Sequence, residues 1–318
     1  MTSKGIISIP SELITEILYR LPSKSVGRFR CVSKEWLSLL SSPQFIKTHQ
    51  NTLNRLFLLW SELYEQSLFH LTLMVSNPTT RECVQLPDCD FKIEGHEFVS
   101  CMICGLGYDS VTDDYKVVTI LEFRNRNGHD IIMCVHVYSL RRNTWTRVID
   151  YPDKYHSSHI TSKAFVNGSF HWVATKVSDQ TKVIVAFSLA DENFSEVPSP
   201  TLSYDLDTFC RLSVVDEKLA IFSGLDAKVW LMNEYGVKGS WTNKIKLHGF
   251  NEIPMIGLPF IFYVNGKLVL ICRKEMLIYD IEDGRLSKHI RNTDPMASNF
   301  FSCASVESLV SPRFNRLN

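Results

Sequence analysis

The sequence feature that most constrains the fold of this chain is a pair of strand motifs that repeat with a regular period. The first motif is an apolar, β-branched or aromatic run that ends in a turn residue and is followed by a second strand. Its end positions are 62, 49, 45 and 47 residues apart, at Asn77, Ser139, Ser188, Asn233 and Asp280. This recurrence predicts one structural unit about every 45–50 residues.

The second motif is a tight hairpin that keeps the same period. Its turn residues Asn167, Asp216 and Asn265 are 49 residues apart, and glycine follows both asparagines. Asn-Gly between two apolar runs is a strong hairpin signal. Residues 109–115 are expected to turn the corresponding hairpin one unit earlier. Two hairpins per period predict a four-stranded blade, which is typical of a kelch-type β-propeller. A β-sandwich with chance spacing is the alternative.

Residues 8–50 have the periodicity of helices instead of strands. The first helix has an apolar face at spacings i, i+1, i+4, i+5 and i+8, formed by Leu13, Ile14, Ile17, Leu18 and Leu21. Pro22 ends this helix, and Ser23 and Ser33 are expected to cap two further helices. About 40 residues make a poor independent core. The apolar surface is therefore expected either to pack on the rest of the chain or to dock the helices of another protein.

Charge and cysteine content limit the class of protein. Lys and Arg number 34 and Asp and Glu also number 34, so the chain lacks the basic excess of a general nucleic-acid binder. No apolar run is long enough to span a membrane, and the first ten residues lack the apolar core of a signal peptide. The nine cysteines are odd in number and irregular in spacing. We expect reduced thiols and a location in the cytoplasm, the nucleus or both.

The motifs that would carry chemistry are incomplete. Cys101 and Cys104 form a single C-x-x-C, which favours buried thiols over a zinc site. The Gly105-x-Gly107 pattern lacks the third glycine and the helix of a dinucleotide loop. Three histidines beside an aromatic-rich region are interpreted as solvated loop and strand residues: His156, His159 and His171. The sequence therefore predicts no catalytic residue, no metal site and no cofactor.

Two parts of the chain resemble known families. Residues 9–36 resemble an F-box, because its Pro, Leu-Pro, Arg-Phe and Lys-x-Trp landmarks occur in the same order and spacing. Residues from Asn77-Pro-Thr-Thr-Arg81 to Asn265-Gly-Lys-Leu268 resemble the F-box-associated domain of plant F-box proteins. Such proteins bind a Skp-type adaptor and, through it, a cullin. The resemblance places these residues in the adaptor-binding motif: Pro10, Leu13, Ile14, Ile17, Leu18, Leu21, Pro22, Val26, Phe29, Val32 and Trp36.

These patterns predict a mainly β chain with a small α-helical N-terminal domain. The expected domains are an F-box at 1–50, a linker at 51–66 and a β-propeller-like domain at 67–318. The stretch before Asn77 is shorter than in family members, so a strand or hairpin is expected to be missing there. Residues 299–310 are a candidate for the strand that closes the ring.

The resemblance implies a non-catalytic subunit of a Skp–cullin–F-box ubiquitin ligase, whose β-domain recruits an unknown protein target. Loops 122–130, 150–162 and 200–208 are expected to carry specificity, because specificity in propellers lies in loops. Three alternatives stay open. They are a shortened competitor for adaptors, a scaffold without ligase activity, and a propeller that binds a small molecule or glycan.

Overall fold

The fold is that of a computed structural model of the chain. It describes most of the chain from residue 11 to residue 291. The ranges are 11–19, 21, 23–42, 44–46, 57–65, 68–77, 80–88, 93–127, 131–156, 162–200, 206, 210–250, 259–264, 266–272 and 275–291. Pro10, Pro22 and residues 299–310, which the sequence analysis singled out, lie outside these ranges.

Three short helices form an N-terminal helical module, here defined as the described part of residues 11–46. They are α1 (Ser11–Tyr19), α2 (Ser23–Phe29) and α3 (Lys34–Ser41). The predicted cap of α3 is confirmed, because the Ser33 hydroxyl accepts a hydrogen bond from the Trp36 backbone N–H at 3.1 Å. The module has its own small core of Leu18, Val26, Leu40 and Phe45.

Twenty strands, in five antiparallel sheets, follow the helices in the described residues. The first sheet is β1 (Phe57–Glu65), β2 (Leu68–Asn77) and β3 (Glu82–Gln85). The second is β4 (His96–Asp109), β5 (Asp114–Asn125), β6 (Ile131–Ser139) and β7 (Thr144–Asp150). The third is β8 (Tyr155–His156), β9 (Lys163–Val166), β10 (Ser169–Lys176), β11 (Lys182–Ser188) and β12 (Phe194–Val197). The fourth is β13 (Cys210–Val215), β14 (Lys218–Ser223), β15 (Lys228–Met232) and β16 (Trp241–Lys246). The fifth is β17 (Phe260–Val264), β18 (Lys267–Cys272), β19 (Glu275–Asp280) and β20 (Leu286–Arg291).

Two of the predicted hairpins are confirmed at their turns, whereas Asn265, the turn residue of the third, lies outside the described residues. Asn167 and Gly168 have φ of 51° and 68°, and they join β9 to β10. Asp216 and Glu217 have φ of 49° and 58°, and they join β13 to β14. Two successive residues with positive φ give the turn a twist that matches the right-handed twist of its strands. The repeat is recognisable in the sequence because these turns need residues that tolerate a positive φ.

Four hydrophobic clusters lie between successive sheets, and this decides between the two predicted β architectures. Pairs of buried residues that share a cluster are Leu73 with Tyr115, Ile120 with Phe170, Ile184 with Ile221, and Phe222 with Leu268. The inner strand β13 contacts both β9 and β17. A β-sandwich has one core between two sheets. Sheets that stack face to face in chain order form a β-propeller.

The Gly-x-Gly pattern serves the packing of one blade on the next. A Cβ atom on Gly105 would collide with the Phe170 ring, and one on Gly107 would collide with Phe165 and Leu189. Both glycines lie in β4, whereas the three other residues belong to the third sheet or the turn after β11. The missing side chains allow these aromatic and leucine groups to approach the backbone of β4.

Strand β1 corrects the predicted domain boundary. Residues 51–66 were assigned to a linker, but β1 pairs with β2 from Phe57 opposite Ser76 to Glu65 opposite Leu68. The linker prediction is therefore wrong from Phe57 onwards. The apolar run of β1 does not end in one of the repeating turn residues, so the repeat in the sequence does not predict it. Its pairing depends on β2, which no local pattern reveals.

Two equivalent contacts between outer strands fix the order of the strands in the first blade. The Trp145 indole N–H, at the start of β7, donates to the Pro87 carbonyl beyond β3 at 2.9 Å. The Trp241 indole, at the start of β16, donates to the Pro198 carbonyl beyond β12 at 2.8 Å. Pro87 after β3 therefore corresponds to Pro198 after β12. Because β12 is the outermost strand of the third sheet, β3 is the outermost strand of the first sheet. Strand β1 then holds the second position from the centre, since the first sheet has only three strands in the described ranges.

Two buried histidines make stability depend on pH, and one of them corrects a prediction. His171, interpreted from sequence as solvated, is fully buried, and its Nε2 lies 2.7 Å from the Tyr235 hydroxyl. His156 is exposed and His159 lies outside the described residues. Burial, as the main cause, lowers the pKa of His171 to about 4, and it does the same to the pKa of His136. Both imidazoles are therefore neutral in the folded chain at neutral pH.

We expect the free energy of unfolding to fall as the pH is lowered from about 6.5 to about 4. In this window the unfolded chain binds protons on His136 and His171 that the folded chain does not, so protonation favours unfolding. Each pH unit costs up to about 1.4 kcal/mol for each histidine. Urea denaturation at pH 7 and 4.5 measures the loss, which should be smaller in His171→Gln. Equal losses in the two proteins would contradict this role for His171.

Candidate functional site

The helical module exposes a group of large apolar side chains, here called the exposed face. It consists of Leu13 (55% exposed), Ile17 (53%), Val32 (62%) and Leu37 (48%). Leu13 and Ile17 are four residues apart on α1, so their side chains are neighbours one helical turn apart. Val32 lies just before α3 and Leu37 lies within it. Single exposed apolar residues are ordinary, but four in a module of this size indicate a surface for a partner.

The structure divides the eleven predicted site residues by their burial. Leu13, Ile17 and Val32 are exposed. Leu18 and Val26 are fully buried, so they hold the module together. Four further side chains are partly buried and pack on the same core: Ile14, Leu21, Phe29 and Trp36. Pro10 and Pro22 lie outside the described residues. Leu37 is exposed in the same way but is not among the residues that the F-box resemblance indicates.

Two pairs of aromatic rings pack within the module, and one pair is formed by the predicted site residues Phe29 and Trp36. The Tyr19 and Phe45 rings stack with centroids 4.7 Å apart. The Phe29 and Trp36 rings meet edge to face at 5.6 Å. Contacts of both kinds stabilise a small core beyond the burial of its area. They orient α2 and α3 so that Val32 and Leu37 remain at the surface.

A second side of the module packs on the β-domain. Ile46 contacts the core of the module and also the cluster between the first two sheets. Arg30 donates from its guanidinium to the Leu40 carbonyl at 3.0 Å. Burial lowers the pKa of Arg30, and the charge of Glu82 in β3 partly offsets this. Packing on the rest of the chain is therefore confirmed on the side of the module that includes Ile46, and docking of another protein on the exposed face stays a prediction.

The same three helices also carry exposed charged side chains of both signs. Glu16 on α1, Arg28 on α2, and Lys34 and Glu35 on α3 are all exposed. The Ser33 side chain, by its hydrogen bond, lowers the pKa of Glu35, so this carboxylate is charged at neutral pH. A mixed polar rim around apolar side chains is the usual anatomy of a protein–protein interface.

The other candidate sites have fewer features of a functional site than the exposed face. Cys101 and Cys104 lie in β4 and form no disulfide, and the Cys101 thiol donates to the Ile103 carbonyl. The described part of the chain holds no group of three or more His, Cys, Asp or Glu placed for a metal ion.

A groove of about 310 Å³ beside β12 includes Glu196 and Lys238. The Glu196 carboxylate is already held by Lys176 at 2.9 Å and by the Tyr155 hydroxyl at 3.0 Å. In the ranges described here, no helix is long and apolar enough to cross a membrane.

Comparison with protein families matches both parts of the chain. Residues 54–312 match the F-box associated beta propeller domain, and residues 6–48 match the F-box domain. The first match begins three residues before β1, in agreement with the corrected boundary.

Curated proteins of Arabidopsis thaliana are similar to this chain over most of their length. F-box protein CPR1 is 27% identical, and the alignment covers 88% of this chain and 84% of that protein. F-box/kelch-repeat protein At3g23880 is 25% identical, with coverage of 90% and 91%. Putative F-box protein At3g16210 is 24% identical, with coverage of 95% and 97%.

Proposed function

Since the chain belongs to the F-box-associated β-propeller family and carries an F-box ahead of that domain, we propose that it is the substrate-recognition subunit of a Skp–cullin–F-box ubiquitin ligase. An F-box generally binds a Skp-type adaptor. The proposed roles beyond adaptor binding are assembly with a cullin and recruitment of a protein target by the propeller.

The observation that supports it most directly is the exposed face of Leu13, Ile17, Val32 and Leu37. Full burial of one such side chain contributes about 1.5–3 kcal/mol, so four together offset a large part of the entropy lost on association. The side of the module that includes Ile46 is occupied by the β-domain, which leaves the exposed face for a partner. An adaptor with an apolar groove for helices fits this face.

The propeller holds the protein target in position and does not itself make or break covalent bonds. A subunit that holds both a target and a cullin-bound enzyme raises the effective concentration of the target at that enzyme. The ubiquitin-loaded enzyme then carries out the transfer, and this chain needs no catalytic residue. Free thiols in the chain favour action in the cytoplasm or nucleus, where cysteines stay reduced.

Strand topology supports a role for the predicted specificity loops. Of the predicted loops 122–130, 150–162 and 200–208, residues 122–125 belong to β5 and residues 155–156 form β8, and much of the remainder lies outside the described residues. The strand ends that flank them, at the end of β5 and the starts of β9 and β13, share one edge of the propeller. The opposite edge carries the β4–β5 and β11–β12 turns, which Lys116 joins by its contacts to Asp109 and Glu192. Loops that a rigid scaffold positions are where binding residues of such domains usually lie.

The test is reconstitution of the full chain with a Skp-type adaptor and a cullin–RING scaffold. We expect a stable complex in size-exclusion chromatography and cullin-dependent ubiquitin transfer to the chain or to a captured protein. Adaptor binding without any ubiquitin transfer would instead support the scaffold or competitor alternative. A folded chain that does not bind the adaptor would overturn the proposal.

A further inference from the structure

A groove of about 310 Å³ lies between the third and fourth blades, and we call it the interblade groove. The third blade supplies one wall, and the fourth blade supplies Lys238 from the turn between β15 and β16. The groove is lined by Val183, Glu196, Val197, Pro198, Ser199 and Lys238, all of which are described. Because its walls come from two blades, no local sequence pattern predicts this groove.

The turn that carries Lys238 is longer than the equivalent turns of neighbouring blades. It spans residues 233–240, whereas the corresponding turns of the second and third blades span 140–143 and 189–193. The Ser240 hydroxyl donates to the Glu234 carbonyl at 2.8 Å and so closes the turn on itself. The additional residues therefore form an ordered wall of the groove.

Two contacts hold this turn on the third blade. The Tyr235 hydroxyl lies 2.7 Å from Nε2 of His171, and the Trp241 indole donates to the Pro198 carbonyl at 2.8 Å. The second contact is made to a residue of the groove itself. The two walls are therefore fixed relative to each other before a ligand binds, which reduces the conformational entropy lost on binding.

Three lysines accompany the single carboxylate that lines the interblade groove. The Glu196 carboxylate contacts the Lys176 ammonium at 2.9 Å and the Tyr155 hydroxyl at 3.0 Å. The hydrogen bond from Lys176 and, to a smaller extent, the charge of Lys154 lower the pKa of Glu196. Lys238 is exposed, and the described residues contain no ion pair to it. The groove therefore offers the Lys238 ammonium to a negatively charged partner.

Most of the other lining residues are apolar. Val183 and Pro198 are partly exposed, and Val197 is buried. Apolar side chains beside one ammonium are complementary to a peptide that carries a carboxylate next to an apolar side chain. Small-molecule sites enclose most of the ligand surface. An open groove at the lower end of their volume range fits a segment of a protein better.

We propose that the interblade groove binds a segment of the protein target in which an Asp or Glu lies next to an apolar residue. The carboxylate of this segment pairs with Lys238, and its apolar side chain packs on Val183 and Pro198. The inference rests on the proposed function, in which the propeller recruits a protein target. Pro198 and Ser199 directly precede the predicted specificity loop 200–208, so the groove extends the surface that this loop was expected to provide.

Peptide selection on the intact chain tests the proposal. The probe is a displayed library of random short peptides, and fluorescence anisotropy measures the affinity of the enriched ones. We expect enriched peptides to share an Asp or Glu next to an apolar residue, and to bind Lys238→Glu at least about 10-fold more weakly. Lys288→Glu reverses an exposed lysine on β20 of the fifth blade and should leave the affinity unchanged. Absence of any enriched peptide, or the same affinity for Lys238→Glu as for the unchanged chain, would overturn the proposal.

A substitution in the peptide tests the ion pair itself. Replacement of its Asp by Asn, or of its Glu by Gln, should weaken binding to the unchanged chain. Lys238→Glu should then cost less than about 2-fold with the substituted peptide, because the pair is already lost. If the two substitutions act independently, the assignment of Lys238 as the partner of the carboxylate is wrong.

Adaptor binding distinguishes this proposal from the proposed function. Lys238 lies in the fourth blade, whereas the exposed face lies in the helical module, so Lys238→Glu should bind a Skp-type adaptor as the unchanged chain does. A chain that binds the adaptor but no peptide would overturn the groove alone. A folded chain that binds peptides but no adaptor would overturn the proposed function alone.

Discussion

Ile17→Asp is expected to weaken binding of a Skp-type adaptor by about 100-fold or more while the chain stays folded. Ile17 is 53% exposed and lies one helical turn from Leu13 on α1. Aspartate at this position loses the apolar contact and places an unpaired carboxylate in a surface that the partner desolvates. Isothermal titration calorimetry with the purified adaptor measures the loss, and circular dichroism checks the fold.

Two other substitutions separate docking from folding. Val111→Asp introduces the same charge at a residue that is 77% exposed in the β4–β5 turn, and it should leave adaptor affinity unchanged. Leu18→Asp places the charge in the core of the helical module, where Leu18 is 1% exposed, and should unfold the module. Ile14 also packs on this core, so Ile14→Asp would combine the two effects. Unchanged affinity of folded Ile17→Asp would exclude α1 from the adaptor interface.

Lys116→Met is expected to reduce the free energy of unfolding by about 3 kcal/mol, at the lower end of the range for a broken buried ion pair. The Lys116 ammonium donates to the Leu189 carbonyl at 2.8 Å and lies 3.0 Å from Asp109 and 3.3 Å from Glu192. It joins the second blade to the third at a point where the Asp109 side chain is 2% exposed. Methionine keeps most of the volume but leaves the buried carboxylate without its cation.

The lower end of the range follows from the other partners of Asp109. Its carboxylate also accepts hydrogen bonds from the Val111 backbone N–H at 3.0 Å and the Thr112 hydroxyl at 2.6 Å. Urea denaturation measures the change. Lys218→Met, which removes a more exposed lysine bonded to Asn233, should cost less than about 0.5 kcal/mol. Addition of Asp109→Asn to Lys116→Met should recover part of the loss, since it removes the unpaired charge. An effect of Lys116→Met no larger than that of Lys218→Met would contradict a buried ion pair.

Features that depend on a few neighbouring residues were predictable from the sequence. The hairpins at Asn167 and Asp216 follow from residues that tolerate positive φ, and the helix that begins after Ser33 follows from a side-chain cap. The repeat of these local signals was sufficient to predict blades, and the helical pattern was sufficient to predict the N-terminal module. The order of the two domains follows from the same patterns.

Features that depend on contacts between distant residues were not predictable in this way. The strand β1 pairs with β2, but its own pattern lacks the repeating turn residue, so it was assigned to a linker. His171 is buried because Tyr235, 64 residues away, covers it. Among the apolar residues of the helices, periodicity alone cannot separate Ile17, which is exposed, from Leu18, which is buried.

The sequence by itself determined the helical module, the hairpins and the period of the blades, because turns, caps and amphipathic patterns act over a few residues. Only the tertiary structure decided which side of the helices the β-domain covers, and hence which apolar residues remain for a partner. It also decided the place of β1 and the close approach of Phe170 to Gly105. These depend on how separate elements pack, and packing is set by residues that lie far apart in the chain.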